Sequence, residues 1–172
     1  MTQPVTVRPA QLGDLRVIVE LRLALLREYG DHPLYGNLRE DAEERAYELY
    51  QVQLVSPNEV IFVAERGNRI IGLLRCVDAG GSPLLYPERY CYVSSVYVRP
   101  AERRHGVLRE LMRAAEQWCE ARGLGEMRLH NVNSSDVAGS AWSSLGFDVV
   151  EHVRRRPLSS ATRRTASNEL RA

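Results

Sequence analysis

At 172 residues the chain is long enough for one domain with one core, and 44% hydrophobic, 26% charged and 7% aromatic residues suit a globular protein. Twenty-three basic against 22 acidic residues leave a net charge of +1, so no whole-protein field gathers nucleic acid or an anionic membrane surface. Every basic residue is arginine, which excludes a Schiff-base lysine and a P-loop lysine alike.

Met1-Thr2-Gln3-Pro4 lacks the charged-then-apolar layout of a signal peptide, and no apolar run approaches the length of a membrane span. A cytoplasmic protein without membrane attachment is expected. A short strand over 6–8 is stopped by Pro9. A helix over 13–28 follows, with Leu15, Ile18, Leu21 and Leu25 on one face and Gly30 as its cap. A second helix, 39–54, buries Ala42, Ala46, Leu49 and Tyr50 and turns Glu40, Asp41, Glu43, Glu44 and Glu48 to solvent. From Pro57 the period shortens: 60–64 and 70–74 read as a β-hairpin around Arg66-Gly67-Asn68-Arg69, and 78–83 as a surface loop. A strand over 90–98 ends at Arg99-Pro100. The longest helical pattern spans 104–122, with Leu108, Leu111, Met112, Ala115 and Cys119 on one stripe and Gly123 closing it. Then come a strand at 126–132, a short helix preceded by Ser134-Ser135-Asp136 and running through Leu145, and a strand at 147–153. Residues 1–158 form the expected domain and 159–172 an arginine-rich tail. Cys76, Cys91 and Cys119 have neither zinc-site nor paired-disulfide spacing.

The chemistry concentrates in Val96-Tyr97-Val98-Arg99-Pro100-Ala101-Glu102-Arg103-Arg104-His105-Gly106-Val107-Leu108. A strand ends, a polar turn follows, and an amphipathic helix begins. The free N–H groups and positive dipole end of that helix form an anion site. Arg103 and Arg104 add charge, and Gly106 lets backbone approach a phosphate closely.

This stretch resembles the acyl-CoA loop of the GNAT superfamily of N-acyltransferases: after a Val-x-Val strand, Gln or Arg, two residues, Gly, one residue, then Gly or Ala. Val96, Val98, Arg103 and Gly106 match at the family's spacing. Val7-Arg8-Pro9-Ala10 with Asp14 is similar to the family's opening. Val63-Ala64-Glu65 with Ile71-Gly72 is similar to its second and third strands, and Leu145-Gly146-Phe147 to its closing motif. The resemblance implies an α/β (α+β) domain with a mixed, mostly antiparallel sheet of about six or seven strands, splayed at its centre and flanked by about four helices.

It also implies an N-acetyltransferase that uses acetyl-CoA as cosubstrate, with no metal, and acetylates a primary amine by direct attack on the thioester. The pantetheine would pair with backbone at Val96, Tyr97 and Val98. The pyrophosphate would lie at Arg103, Arg104, His105, Gly106, Val107, Leu108 and Arg109, with Ser135 and Trp142 touching the cofactor. The N–H of Val96 would stabilise the oxyanion. Three positions depart from the family: Leu108 replaces a Gly or Ala, Trp142 replaces the Tyr that protonates the leaving thiolate, and Tyr92 stands where one branch has a glutamate base. An indole N–H does not ionise usefully, and a phenol is a poor base at neutral pH. Tyr92, His130, His105 and Glu88 remain the candidates for proton transfer.

The resemblance implies a small-molecule or peptide amine as acceptor, which would be met by 29–37 and 80–88 with Tyr29, His32, Tyr35, Tyr86 and Glu88; the acidic face at Glu40, Glu43 and Glu44 would steer a cationic amine. A degenerate acyl-CoA sensor is the alternative. A nucleic-acid arm at Arg154, Arg155, Arg156, Arg163, Arg164 and Arg171 fits poorly with the near-zero net charge. A homodimer is left open.

Overall fold

The computed structural model describes residues 3–132 and 136–158. The chain divides between residues 132 and 133 into two compact units. The first holds β1 (Val5–Pro9), α1 (Leu15–Glu28), α2 (Ala42–Leu54), β2 (Glu59–Arg66), β3 (Arg69–Gly80), β4 (Arg89–Val98), α3 (Val107–Arg122) and β5 (Met127–Leu129); the second holds α4 (Asp136–Ser144). None of the described helices is long and apolar enough to cross a membrane.

One five-stranded sheet runs in chain order, β1 to β4 antiparallel and β5 parallel to β4. The parallel pair needs a crossover, which α3 supplies. Ile61, Phe62, Val63 and Ala64 are buried in succession, so both faces of the sheet are covered. On one face Ile61, Val63, Leu73 and Tyr97 join Ile18, Val19 and Leu21 of α1 and Ala46 and Tyr50 of α2. The other belongs to α3: a Cβ on Gly72 would lie 3.4 Å from Val107 and 2.9 Å from the Tyr97 carbonyl, so the helix packs close there.

The expected helices form, with shifted starts. The third begins at Val107, not at 104, because Arg104 (φ 66°) and Gly106 (φ 80°) hold left-handed conformations that a helix excludes. The second begins at Ala42, after Asp41 has taken Arg39 and Arg45 as partners. Strand β3 runs through Asp78 to Gly80, where a loop is expected from the turn-forming residues. Asp78 pairs with Cys91 in the ladder and is held by Arg89 and, at 3.4 Å, by Arg122.

The sheet has fewer strands than expected, and the difference lies at the C-terminal end. Strand β5 covers only Met127–Leu129, and residues 147–153 form no strand. That segment has the composition of a strand, but Val149, Val150 and Val153 are exposed, and β-propensity alone does not make a ladder. Residues 159–172, the expected tail, lie outside the described residues.

Candidate active site

Strand β4 changes character halfway along. Its pairing with β5 covers Cys91↔Met127, Tyr92↔Arg128 and Val93↔Leu129 and stops there, while β4 continues to Val98. Beyond Val93 the β5 side of β4 is therefore unpaired among the described strands. On the β3 side, Arg75↔Ser94 is followed by Leu73↔Tyr97, so Leu74 alone faces Ser95 and Val96. The extra residue is a bulge, with Ser95 left-handed at φ 53°. It also reverses the strand's alternation: Cys91 and Val93 face α3, whereas Tyr97 lies in the core under α1 and α2. Tyr50 of α2 meets Ser95 Oγ at 3.3 Å and braces the bulge. Ser95 and Arg104 are the two non-glycine residues with positive φ among those described. Both lie at this junction of strand and turn, where local strain marks a functional candidate.

Beyond β4, the Arg99 N–H donates to the Ile71 carbonyl at 2.9 Å, and a 3-10 turn at Pro100–Glu102 leads to Arg103. Arg103 straps the turn rather than projecting from it. Its Nε donates to the Val98 carbonyl at 2.9 Å, its Nη2 donates to both oxygens of Glu28 at 2.6 and 2.8 Å, and its guanidinium lies 5.4 Å from the Tyr97 ring centroid. Arg104, His105 and Arg109 are exposed and make no side-chain bond among the described residues. The N–H of Glu110 bonds to the Gly106 carbonyl, which leaves the amides of Val107, Leu108 and Arg109 without intrahelical acceptors. A Cβ on Gly106 would meet nothing within 4 Å. Glycine is therefore required there by its backbone conformation, and the space beside it is open. An open approach, spare amides, a helix N-terminus and unpaired arginines fit the pyrophosphate of a CoA thioester. The Val107 side chain is buried and Leu108 half-buried, so their part in such a site falls to the backbone.

Before the bulge, Tyr92 Oη and His130 Nδ1 are 2.9 Å apart, with the rings edge-on at 5.6 Å. Burial pushes the Tyr92 phenol above its usual value, and the neighbouring Tyr35 and Tyr90 push the same way. It stays protonated at neutral pH, shares a hydrogen bond with the imidazole, and does not serve as a base. Tyr35 belongs to the loop after α1, where it stacks on His32 at 5.2 Å and tilts against Tyr29 at 5.3 Å. That loop folds back on itself, with Gly36 N–H donating to the His32 carbonyl and Gly36 so close to Gly30 that a Cβ has no room. Ser94 Oγ accepts from Arg75, which also pairs with Glu59. Glu88 and Tyr86 are exposed on the loop between β3 and β4, and Tyr86 is 90% accessible.

The sequence matches the family model described as the acetyltransferase (GNAT) family over residues 22–147. The chain belongs to the GNAT family. As a member it is an acetyl-CoA-dependent N-acetyltransferase. It is 26% identical over 154 residues, 88% of this chain and 96% of the relative, to an aminoglycoside N(6′)-acetyltransferase type 1 of Klebsiella aerogenes. Two solved structures share the fold. One, a protein of Clostridium acetobutylicum described as a predicted acetyltransferase and solved with acetyl-CoA, has a TM-score of 0.75 at 19% identity, covering 92% of this chain and 99% of its own. The other, an aminoglycoside 6′-N-acetyltransferase of Acinetobacter haemolyticus, has a TM-score of 0.71 at 21% identity, covering 89% and 97%.

This GNAT acetyltransferase brings Val96, Tyr97, Val98 and the 103–109 turn into one continuous run, and places Tyr92 beside His130 across the point where the strands part. Ser135 lies outside the described residues. Trp142 is in the second unit, edge-on to Phe147 at 5.5 Å. Cys76, Cys91 and Cys119 are buried; burial and neighbouring thiols raise Cys91 far above, and Cys119 to about 12. Cys91 and Cys119 therefore supply no thiolate near neutral pH. The sequence reading missed Ser95, Tyr50 and Glu28. Ser94-Ser95, two small polar residues inside a Tyr- and Val-rich strand, was the available signal for the bulge. Nothing local marks Glu28 as the partner of Arg103, 75 positions away.

Proposed function

We propose that acetyl-CoA lies along the β4 edge left open beyond Val93, with its pyrophosphate at residues 103–109, and that a small primary amine reaches the thioester from the side of Tyr35, Tyr92 and His130. The observation that carries this reading is the end of β4–β5 pairing at Val93↔Leu129, just before the bulge at Ser95–Val96. It leaves the β5 side of β4 open on the strand that leads into a helix N-terminus with open space beside it. Arg104 and Arg109 are the cations free to meet phosphate, whereas Arg103 holds the turn to β4 and α1. Relatives that acetylate aminoglycosides support a small-molecule acceptor over a peptide.

In the proposed reaction the amine nitrogen forms a bond to the thioester carbonyl carbon, the C–S bond breaks, and CoA leaves as thiolate. The Val96 N–H donates to the carbonyl oxygen as charge gathers there. His130 accepts the amine proton at Nε2 while the Tyr92 hydroxyl donates to Nδ1 and fixes the ring. That proton then returns to the thiolate or to solvent.

The test is acetyl-CoA binding by Gly106→Val. A β-branched residue at φ +80° is strained and fills the open approach, so the variant should lose the rise in Tm that acetyl-CoA gives the wild-type protein. Circular dichroism and the ligand-free Tm control for folding. An undiminished shift in folded variant moves the donor site elsewhere.

A further inference from the structure

Arg22 is the anomaly on the acceptor side. It occupies the inward stripe of α1, one turn after the fully buried Ile18 and between Leu15 and Leu25, both packed against the core cluster. Six arginines among the described residues are half-buried: Arg8, Arg22, Arg66, Arg75, Arg99 and Arg122. Five of them hold a carboxylate, namely Asp14 with Glu65, Glu102, Glu59, Glu20 and Asp78 in that order. Arg22 makes no hydrogen bond or ion pair among the described residues. A half-buried arginine without an anion stands out against these five, each of which holds one.

Its surroundings locate the missing partner. The positive charge of Arg22 acts on the hydroxyls of both Tyr29 and Tyr92, and Tyr35 acts on the same two. Helix α1 packs against β4, which carries Tyr92, and ends at Tyr29, so Arg22 lies on the element that joins the two and within electrostatic reach of both. The carboxylates of Glu28, at the end of the same helix, and of Glu59, the partner of Arg75, are already engaged by other arginines.

We propose that Arg22 binds an anionic group, a carboxylate or a phosphate, carried by the acceptor amine, so that the preferred acceptor is a small zwitterionic amine and not a polycationic amino sugar. A planar guanidinium offers two parallel donors to either group. Anchored there, the acceptor presents its amine toward Tyr92 and His130. This inference rests on the acetyl-transfer reading above and narrows its substrate class.

The experiment follows CoA release by the full-length protein with matched acceptors: an amino acid and its carboxamide, phosphoethanolamine and ethanolamine, and an aminoglycoside. The anionic member of at least one pair should exceed its neutral partner at least tenfold in kcat/KM, and the arm that shows the preference tells carboxylate from phosphate. In Arg22→Gln the ratio should fall toward one, mainly through KM, whereas Arg22→Lys should keep part of it. Unchanged Tm and acetyl-CoA affinity exclude a folding defect. Equal efficiency within both pairs, a preference that survives Arg22→Gln, or the aminoglycoside as best substrate overturns the proposal and leaves acetyl transfer standing. Acetyl-CoA binding without CoA release to any amine overturns both.

Discussion

The stretch proposed to hold acetyl-CoA and the side proposed to admit the amine differ in what they are made of. The first is contiguous and mostly backbone: the free edge of β4, the left-handed residues Ser95, Arg104 and Gly106, and the unpaired amides that open α3. The second is assembled from side chains of α1, the loop after it, β4 and the residue after β5, with Arg22, Tyr35, Tyr92 and His130 drawn from positions more than 100 residues apart. A cosubstrate recognised through backbone leaves a compact sequence signature. An acceptor recognised through scattered side chains leaves only single candidates such as Tyr35, Tyr92 and His130, and its class has to be read from unsatisfied chemistry such as the lone charge of Arg22.

Substitution separates the two sides. The largest effect is expected from Val96→Pro, which deletes the amide proposed to face the developing oxyanion. It should lower kcat by about 10²- to 10³-fold and alter acetyl-CoA affinity far less, as single-turnover kinetics beside titration calorimetry will show. A loss confined to affinity would make Val96 a binding residue only. On the acceptor side, His130→Gln should lower kcat by about 10²-fold. Tyr92→Phe should lower it by only about tenfold, the scale of one lost hydrogen bond, since the phenol orients the imidazole without exchanging the proton.

The direction of the Tyr92 shift makes the second effect checkable against pH. Because burial raises its pKa, the fold favours the neutral phenol. The resulting stability is fully present below the ordinary tyrosine value of about 10 and fades as pH rises through the higher folded value. Tyr92→Phe should therefore leave the neutral-pH shape of both the kcat/KM and the Tm profiles unaltered. A changed slope near neutrality would show Tyr92 itself titrating in catalysis.

What the sequence disclosed follows the same division. The order of helices and strands up to Leu129 was legible because their apolar periods are strong, and the turn at 103–109 because glycine and arginine punctuate a strand-to-helix joint. The start of α3 was misjudged because helix propensity at 104–106 gives way to the left-handed turn. The strand expected at 147–153 failed because propensity alone does not make a ladder. Asp78 looked like a loop residue until Arg89 and Arg122 satisfied it within a strand. The strap from Arg103 to Glu28 and the isolation of Arg22 exist only in three dimensions.

The central claim is that the acetyl group passes directly from the donor on the β4 edge to the amine, without resting on the protein. No lysine is present, the three cysteines are buried, and the Cys91 and Cys119 thiols are held above their usual pKa, so neither an amine nor an exposed thiolate is poised to carry it among the described residues. The most direct test is intact-protein mass spectrometry after exposure to acetyl-CoA alone, with CoA release followed before and after adding the amine. The account predicts an unmodified protein, no CoA release above hydrolysis until amine is present, and one acetylated amine per CoA released. A stoichiometric acetyl adduct that forms on the protein without amine, and is discharged when amine is added, would contradict it.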